Sequence, residues 1–319
     1  MEYRQEKLPL GLFIGLATLD VIQLVDHLPG PNQKMQALDV AIAAGGPATN
    51  AAVAFSHLGG RSHLLCRVSD DATGKLIRSD LQECGVHLLE VSTDHPNTVA
   101  SILVQTPGGD RSVISAGDGS SHMSEVADVS QVMTLAQPLN QYPVIQVDGY
   151  QADLAIPILE AFQDCSGIAV MDAGSFKPAT PSFLRLVDCV VTSADFAPPG
   201  TAGPADVFDF LHDCGVHLAA MTRGPDTILF SADGVRGEVA VTSVNPVVDT
   251  LGAGDFFHGA FSFALSRIVG QSATDFQFSD VDALTSALRY ASRCATASIT
   301  SFGSRMWLKK TVPCECNDQ

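Results

Sequence analysis

A stretch whose pattern is typical of a strand-to-helix junction reads Val247-Val-Asp-Thr-Leu-Gly-Ala-Gly-Asp-Phe-Phe-His-Gly-Ala260. Its β-branched start and small central residues predict a strand end, a tight turn and an apolar helix that begins near Asp255. The backbone N–H groups of Gly252, Ala253 and Gly254 can point into one concavity, and the positive end of the helix dipole adds to their attraction for an anion. The junction therefore predicts an anion site that needs no lysine.

Asp255 is unexpected in this position because a carboxylate beside an anion site repels the anion. Two interpretations fit it equally well. Asp255 is either an acid of the first helical turn, where it stabilises the helix dipole, or a general base that accepts a proton from an attacking hydroxyl.

A second glycine-rich turn, Ala44-Gly-Gly-Pro-Ala-Thr-Asn50, leads into an alanine-rich helix. Gly45 and Gly46 permit a close approach of the backbone, and Pro47 suits a first helical turn. Asn50 then places an amide, with both donors and an acceptor, one turn into the helix. This amide either binds a ligand hydroxyl or is exposed to solvent.

Two further strand ends carry polar residues. Asp20 follows the buried strand that leads into Gly15-Leu-Ala-Thr-Leu-Asp20. Ligands of open α/β sheets bind beyond the carboxyl ends of the strands, so Asp20 is either a ligand of a polyol or a solvated turn residue. In the junction around Thr222 and Gly224, the hydroxyl and the amide are candidates for phosphate contact.

Strand-like runs alternate with amphipathic helices along most of the chain, which is typical of an α/β fold with a mostly parallel central sheet flanked by helices. The 319 residues fit one domain covering 1–319. The clearest strands are predicted at residues 12–16, 63–68, 144–147, 168–172, 189–192 and 218–222. The clearest helices are predicted at residues 48–58, 73–84, 153–162, 204–214, 253–268 and 281–298.

Two segments depart from this alternation and predict a small separate sheet. Residues 19–25 with 37–43, and 99–105 with 111–115, are typical of extended strands, and the second pair is joined by Thr106-Pro-Gly-Gly-Asp110. The small sheet is either a lid, formed by segments near 19–43 and 98–116, or an extension of the main sheet. As a lid it would cover a ligand, and its other apolar side is expected to pair two copies into a homodimer.

Charge argues against two classes of partner. The chain has 18 Lys and Arg against 35 Asp and Glu, a formal net charge of −17. Such a charge repels nucleic-acid phosphates and anionic bilayers. The apolar run from Leu8 to Val25 contains Pro9 and Asp20 and is too polar to cross a bilayer. We therefore expect a cytoplasmic protein with no nucleic-acid or membrane partner.

The two glycine-rich stretches resemble the signatures of one enzyme family. Residues 249–260 resemble the C-terminal signature of the PfkB (ribokinase-like) carbohydrate kinases, and Gly45-Gly-Pro-Ala-Thr-Asn50 with Gly59 resembles their N-terminal signature. The similarity extends in order from Gly15 to Gly303. It implies a ribokinase-like fold with a β-sheet lid, ATP in a shallow groove and a sugar beneath the lid. The signature residues look closer to the ketohexokinase and sulfofructose kinase branch than to nucleoside kinases.

The resemblance also implies a role for each matching residue. Asp255 looks like the catalytic base, and the anion hole comprises Gly252, Ala253 and Gly254. The sugar ligands implied are Asp20, Gly45, Gly46 and Asn50, and the residues beside the nucleotide phosphates are Thr222 and Gly224. Phosphoryl transfer requires an anion hole and a base side by side, which accounts for the acid next to the anion site.

The chain departs from the family pattern where metal ions are concerned. Val191-Thr-Ser-Ala-Asp-Phe196 occupies the region of the family's Asn-x-x-Glu motif, which supports Mg²⁺, and Asp195 is the candidate substitute. The loop for a monovalent cation such as K⁺ is partly matched near Asp249, Ser298 and Gly303.

The expected activity is therefore transfer of the γ-phosphate of ATP, with Mg²⁺, to a hydroxyl of a small ketose-like sugar. The missing Mg²⁺ motif keeps a catalytically silent sugar- or nucleotide-binding protein of the same fold as an alternative. A ribose, nucleoside or 2-keto-3-deoxy acid kinase is the other alternative.

Overall fold

The computed structural model describes residues 8–116, 128–271 and 277–310 and arranges them around a nine-stranded sheet and a four-stranded sheet. The strands are β1 (Leu10–Ile14), β2 (Thr18–Val25), β3 (Asp39–Gly45), β4 (Arg61–Ser69), β5 (His87–Thr93), β6 (Val99–Gln105), β7 (Asp110–Ser115), β8 (Val144–Val147), β9 (Ile168–Ala173), β10 (Cys189–Ser193), β11 (Leu218–Arg223), β12 (Asp226–Ala232) and β13 (Val235–Val239). The helices are α1 (Pro47–His57), α2 (Ala72–Glu83), α3 (Val129–Ala136), α4 (Ala152–Phe162), α5 (Thr180–Leu184), α6 (Pro204–Asp213), α7 (Ala253–Gln271) and α8 (Val281–Ser298).

The large sheet has the strand order β13-β12-β11-β10-β9-β8-β1-β4-β5 and is parallel from β11 to β5. Alternate side chains of its strands enter two apolar layers, one on each face. On β1, Phe13 packs edge-on against Phe55 of α1, with ring centroids 5.3 Å apart, while Leu12 and Ile14 belong to the layer that contains α4. The predicted α/β architecture with a mostly parallel sheet is confirmed.

The small sheet has the order β3-β2-β6-β7. Its register pairs Ile22 with Ile102, and Ile102 with Val113, so these three side chains share one face. That face borders the pocket described below. Three exposed apolar residues lie on the opposite face, Val40 and Ile42 on β3 and Ile114 on β7. The two segments that were predicted to leave the alternation therefore form a sheet of their own.

Three strands were not predicted. The strand β5 alternates polar and apolar residues at the edge of the large sheet, and β12 and β13 form an antiparallel hairpin at its other edge. Such edge strands are half exposed, and their short apolar runs give a weak periodic signal. Among the described helices, none is long and apolar enough to cross a membrane.

Candidate active site

A pocket of about 220 Å³ lies where the carboxyl ends of β1 and β8 face the small sheet. Open α/β sheets bind ligands at this edge because the strand ends leave a crevice there. The helices α1 and α7 also reach it, each with its first turn. The residues that line the pocket are Leu16, Thr18, Asp20, Gly46, Asn50, Thr98, Ala100, Ile102, Val113, Ser115, Tyr150, Leu251 and Asp255.

Asp20 lies within β2, on the face of the small sheet that borders the pocket. Its Oδ1 accepts a hydrogen bond of 2.7 Å from the Thr18 hydroxyl. Its carboxylate packs so closely on Gly45 that a Cβ there would lie 2.1 Å from Asp20 Oδ2. Burial raises the pKa of Asp20. The side chain is not solvated, so the interpretation of Asp20 as a solvated turn residue is wrong.

Gly46 sets the entry into α1. Its φ is +102°, in the left-handed region, and a Cβ there would lie 2.2 Å from the Leu16 carbonyl oxygen, so only glycine fits. Pro47 then opens the helix, where its missing N–H costs nothing. The Gly46 carbonyl accepts a bond of 2.9 Å from the Asn50 N–H. This turn brings the backbone of Gly46 and the side chain of Asn50 to one pocket.

Asn50 and Asp255 meet in the pocket, where Asn50 Nδ2 donates to Asp255 Oδ2 over 2.8 Å. Asn50 is 3% exposed, which excludes the interpretation of its amide as exposed. Burial raises the pKa of Asp255 to about 7, and the negative charge of Asp172 adds to the rise. The Asn50 hydrogen bond and the charge of His258 oppose it. A carboxyl group with such a pKa can exchange a proton near neutral pH.

The three residues of the predicted anion site surround the start of α7. Gly252 precedes the helix with a φ of +72°, Ala253 is the first helical residue, and Gly254 is exposed. The N–H groups of a first helical turn have no carbonyl partner within the helix, and the positive end of the helix dipole lies beside them. Asp255 belongs to the same turn. The N–H groups predicted to bind an anion and a carboxylate with a raised pKa therefore lie in the same helical turn.

His258 is buried one turn beyond Asp255. Its Nδ1 lies 2.7 Å from the Gly254 carbonyl oxygen and 3.4 Å from Asp172 Oδ2. Its Nε2 lies 3.3 Å from the Val191 carbonyl oxygen. The imidazole thus connects α7 to β9 and β10, and holds the Asp172 carboxylate close to the start of α7. Asp172 ends a predicted strand, and its position at that strand end is the signal that could identify it.

Thr222 and Gly224 lie at the carboxyl end of β11 and do not line the pocket. The Thr222 hydroxyl donates to the Thr192 carbonyl over 3.2 Å, and Gly224 has a φ of +61° in the turn to β12. Asp195 is exposed just beyond β10, which pairs with β11. Thr222, Gly224 and Asp195 therefore lie at the same edge of the large sheet as the pocket, but beside it, at the carboxyl ends of β10 and β11.

The residues predicted near a monovalent cation come together in part. The Asp249 oxygens accept the N–H groups of Leu251 and Gly303, each over 2.8 Å. The Ser298 hydroxyl donates instead to the Ala295 carbonyl over 2.8 Å. Within the described ranges, no three His, Cys, Asp or Glu side chains are grouped so that they could hold a metal ion. Potassium binding stays a prediction.

The β6–β7 hairpin contacts the loop that precedes α7. The Thr250 hydroxyl donates to the Gly109 carbonyl over 2.9 Å, and Arg111 Nη1 donates to the Thr250 hydroxyl oxygen over 2.9 Å. Gly109 has a φ of +73°, and a Cβ there would lie 3.0 Å from the Asp249 nitrogen. The tip of the small sheet is thus packed against the segment that leads to the predicted anion site.

Asp148, directly after β8, is a residue of this site that the sequence analysis missed. Its Oδ2 accepts the N–H groups of Leu16 (2.8 Å) and Ala48 (3.2 Å), and its Oδ1 accepts that of Tyr150 (3.0 Å). Burial raises its pKa to about 6. Asp148 therefore fixes two lining residues and the first turn of α1. A carboxylate immediately after the strand Val144–Val147 is the signal that could identify it.

Known proteins are similar to this chain over nearly its whole length. The family model described as pfkB family carbohydrate kinase matches residues 10–310. The chain is 26% identical over 301 residues to the ribokinase of Bacillus subtilis (strain 168), with 92% of this chain and 93% of the relative covered. The fold is similar to that of ribokinase from Giardia lamblia, with a TM-score of 0.81, 20% identity and 96% of each chain covered. It is also similar to Arabidopsis thaliana ribokinase complexed with ribose and ATP, with a TM-score of 0.71, 21% identity, and 95% of this chain and 99% of that chain covered.

Proposed function

The chain belongs to the pfkB family of carbohydrate kinases and so transfers a phosphoryl group to an alcohol; we propose that the donor is ATP and the acceptor a small uncharged sugar. The observation that carries this proposal is the contact between Asn50 and Asp255 in a pocket that also contains Asp20. Carboxylate and amide groups are suited to hold several hydroxyl groups at once, as a sugar presents them.

In the proposed mechanism, Asp255 Oδ accepts the proton of the sugar hydroxyl as that oxygen attacks the γ-phosphorus of ATP. The bond from the γ-phosphorus to the bridging oxygen of ADP breaks, and ADP leaves with that electron pair. The backbone N–H groups of Gly252, Ala253 and Gly254 stabilise the charge on the transferred phosphoryl group. Support for this assignment comes from the pKa of Asp255, raised to about 7, and from its position in the same helical turn as those N–H groups.

The charge of the pocket supports an uncharged sugar. Asp20 and Asp255 both line it, and none of its described lining residues is a lysine or arginine. The Lys177 ammonium lies 4.4 Å from the centroid of the Tyr150 ring and is not a lining residue. A carboxylate or sulfonate on the substrate would thus meet two acids, with no lysine or arginine among the lining residues to bind it. This disfavours 2-keto-3-deoxy acids and sulfonated sugars, and leaves ketoses, with ribose, as the first candidates.

The nucleotide is proposed to lie along the sheet edge beside the pocket, with its phosphates near Thr222 and Gly224. Mg²⁺ takes oxygen ligands and is commonly held by one or two carboxylates together with substrate phosphates and water. Asp172 and Asp195, at the ends of β9 and β10, offer such oxygens, so the donor set fits a Mg²⁺ ion held mainly by ATP. The ion would neutralise phosphate charge. K⁺ is proposed near Asp249, Ser298 and Gly303.

The small sheet is proposed to act as a lid and as a dimer surface. Its inner face borders the pocket, and its hairpin contacts Thr250 beside the anion site, so it can exclude water from the reaction. Its outer face exposes Val40, Ile42 and Ile114 by 55%, 57% and 70%. An apolar face of this kind is readily covered by a second copy of the chain.

The proposal is tested by ADP release with ATP and Mg²⁺ over two matched sets of sugars. The uncharged set contains ribose, fructose, other ketoses, aldoses and nucleosides, and the anionic set contains 2-keto-3-deoxygluconate, sulfofructose and sugar phosphates. We expect turnover in the uncharged set and a kcat/KM at least about tenfold lower for every anionic sugar, as expected when a charge is buried without a partner. Faster turnover of an anionic sugar would contradict the proposed substrate class. Binding of sugar and ATP with no ADP release would instead favour the catalytically silent alternative.

A further inference from the structure

Arg305, beyond α8, reaches the back of the sugar pocket without lining it. Its Nη1 donates to Asn50 Oδ1 and to the Ser304 carbonyl, each over 3.1 Å. Its Nη2 donates to the Ala44 carbonyl over 2.6 Å and to Asp80 Oδ2 over 2.9 Å, and its Nε donates to the same Asp80 oxygen over 3.1 Å. The five N–H groups of a guanidinium are thereby all engaged. Arg305 has no donor left for a substrate, so any influence on catalysis passes through its partners.

The contact with Asn50 fixes the direction of the Asn50 amide. Arg305 can only donate, so it requires Oδ1 on its side, and this turns Nδ2 toward Asp255 Oδ2, 2.8 Å away. The opposite orientation would place the amide NH₂ against the guanidinium and the amide carbonyl against the carboxylate. Both contacts would be repulsive. Arg305 therefore selects the orientation in which Asn50 donates to Asp255.

The Arg305 guanidinium also holds the backbone at Ala44, which lies close to Asp20, the other acid of the pocket. Asp80 Oδ2 accepts the Ala44 N–H over 3.0 Å, while Arg305 binds the Ala44 carbonyl, so both sides of this residue are fixed. The next residue, Gly45, packs against Asp20. The charge of Arg305 also favours the ionised form of Asp20. One partly buried cation thus connects both acids of the pocket.

We propose that Arg305 is a positioning residue that orients the Asn50 amide, and through it the Asp255 carboxylate, without touching the substrate. The inference rests on the function proposed above for Asp255. The groups that act electrostatically on Asp255 are Asp172, His258, Asp20 and Asn50. Of these, Asn50 is the one that Arg305 contacts, and loss of the arginine frees its amide to turn its carbonyl toward Asp255. The carboxylate then loses a donor, and its pKa rises.

The test follows the titration of the Asp255 carboxyl carbon by NMR in protein labelled with ¹³C at aspartate, with Asp255→Asn identifying the signal. We expect Arg305→Met to move the Asp255 midpoint upward by about one pH unit, as expected for loss of a hydrogen bond to a charged group. In the Asn50→Ala background the same substitution should add little, because the residue through which Arg305 acts is gone. Where a sugar substrate is available, kcat/KM at pH 7 should fall about fivefold, because a midpoint one pH unit higher lowers the deprotonated fraction of Asp255 by that factor.

Arg78→Met is the matched control. Arg78 lies on α2, the helix that carries Asp80, and its guanidinium bonds Glu90, Asp70 and the Ser69 carbonyl, away from the pocket. The Arg78→Met substitution should lower Tm as Arg305→Met does, and should leave the Asp255 midpoint unchanged. Arg305→Lys keeps the charge but cannot donate to Asn50, Ala44 and Asp80 together, so it should also raise the Asp255 midpoint. This variant replaces Arg305→Met in the experiment if Arg305→Met does not fold.

An Asp255 midpoint that stays at the wild-type value in Arg305→Met or Arg305→Lys would overturn the proposal, since Arg305 would then be structural. An equal shift with and without Asn50 would overturn it as well, because the effect would not pass through Asn50. The titration needs no substrate. A wild-type protein that phosphorylates no sugar would therefore contradict the proposed function, while the midpoint would still decide the role of Arg305.

Discussion

Asn50 Nδ2 donates a hydrogen bond to Asp255 Oδ2 across 2.8 Å and joins two residues that are 205 positions apart in the chain. Each residue lies in the first turn or two of its helix, Asn50 on α1 and Asp255 on α7. The two glycine-rich turns that precede these helices therefore build one site from the two ends of the sequence. Because the Asn50 donor stabilises the charged form of Asp255, this contact also keeps a buried carboxyl able to ionise.

Asp20→Ala is expected to weaken sugar binding with little effect on the nucleotide. The substitution leaves a sugar hydroxyl and the Thr18 hydroxyl without an acceptor. A buried unpaired group of this kind raises the sugar KM by about tenfold to a hundredfold. Initial rates at varied sugar and varied ATP measure both constants. Asp26→Asn, an exposed acid next to the same small sheet, is the control and should change neither KM. An equal rise of both KM values in Asp20→Ala would contradict this role.

The rate should depend on the ionisation of Asp255. Burial and the negative charge of Asp172 raise its pKa to about 7, and only the deprotonated carboxylate accepts a proton from the sugar. The value of kcat/KM for the sugar should therefore rise with pH and level off above about pH 7, falling by about tenfold per pH unit on the acid side. Rates between pH 5 and 9 at constant ionic strength measure this profile. A profile that is flat below pH 7 would be incompatible with Asp255 as the base.

Sugar binding should slow hydrogen exchange in the hairpin formed by β6 and β7. Its tip bonds Thr250 through Gly109 and Arg111, so a bound sugar that holds the pocket closed should reduce opening of these strands. Deuterium uptake of peptides covering residues 99–115, with and without saturating sugar, measures this effect. The β12–β13 hairpin at the far edge of the large sheet is the internal control and should exchange equally in both states. Equal uptake at 99–115 in both states would argue against a lid.

Ile114→Lys is expected to dissociate a dimer formed through the small sheet. Ile114 is 70% exposed on the outer face, and a lysine there would bring two charges together across a twofold interface. Sedimentation velocity of the wild type should give twice the monomer mass, and the variant should sediment as a monomer. Val235→Lys introduces the same charge on β13, where a 51% exposed valine lies away from the small sheet. A wild-type protein that sediments as a monomer would contradict the dimer.

Local features account for what the sequence predicted. The strands at the centre of the large sheet are continuous apolar runs, and the turns at Gly46 and Gly252 need glycine for their positive φ, so both leave a direct signal. Asp20 was identified as a candidate, but whether it was buried depended on the pairing of β2 with β3 and β6. Arg305 could not be identified, because its contact with Asn50 spans 255 positions and has no periodic pattern.

The most direct test of the account is the kcat of Asp255→Asn, which keeps the size and shape of the side chain and removes the proton acceptor. A positioned general base contributes about 10²–10⁴ in rate, so kcat on the best sugar should fall by that factor, while ATP binding and Tm stay near the wild-type values. Asp282→Asn alters another acid in the first turn of a helix, on α8, and should leave kcat unchanged. If Asp255→Asn kept more than about a tenth of the wild-type kcat, Asp255 would be an acid of the helix start alone, and the proposed mechanism would be wrong.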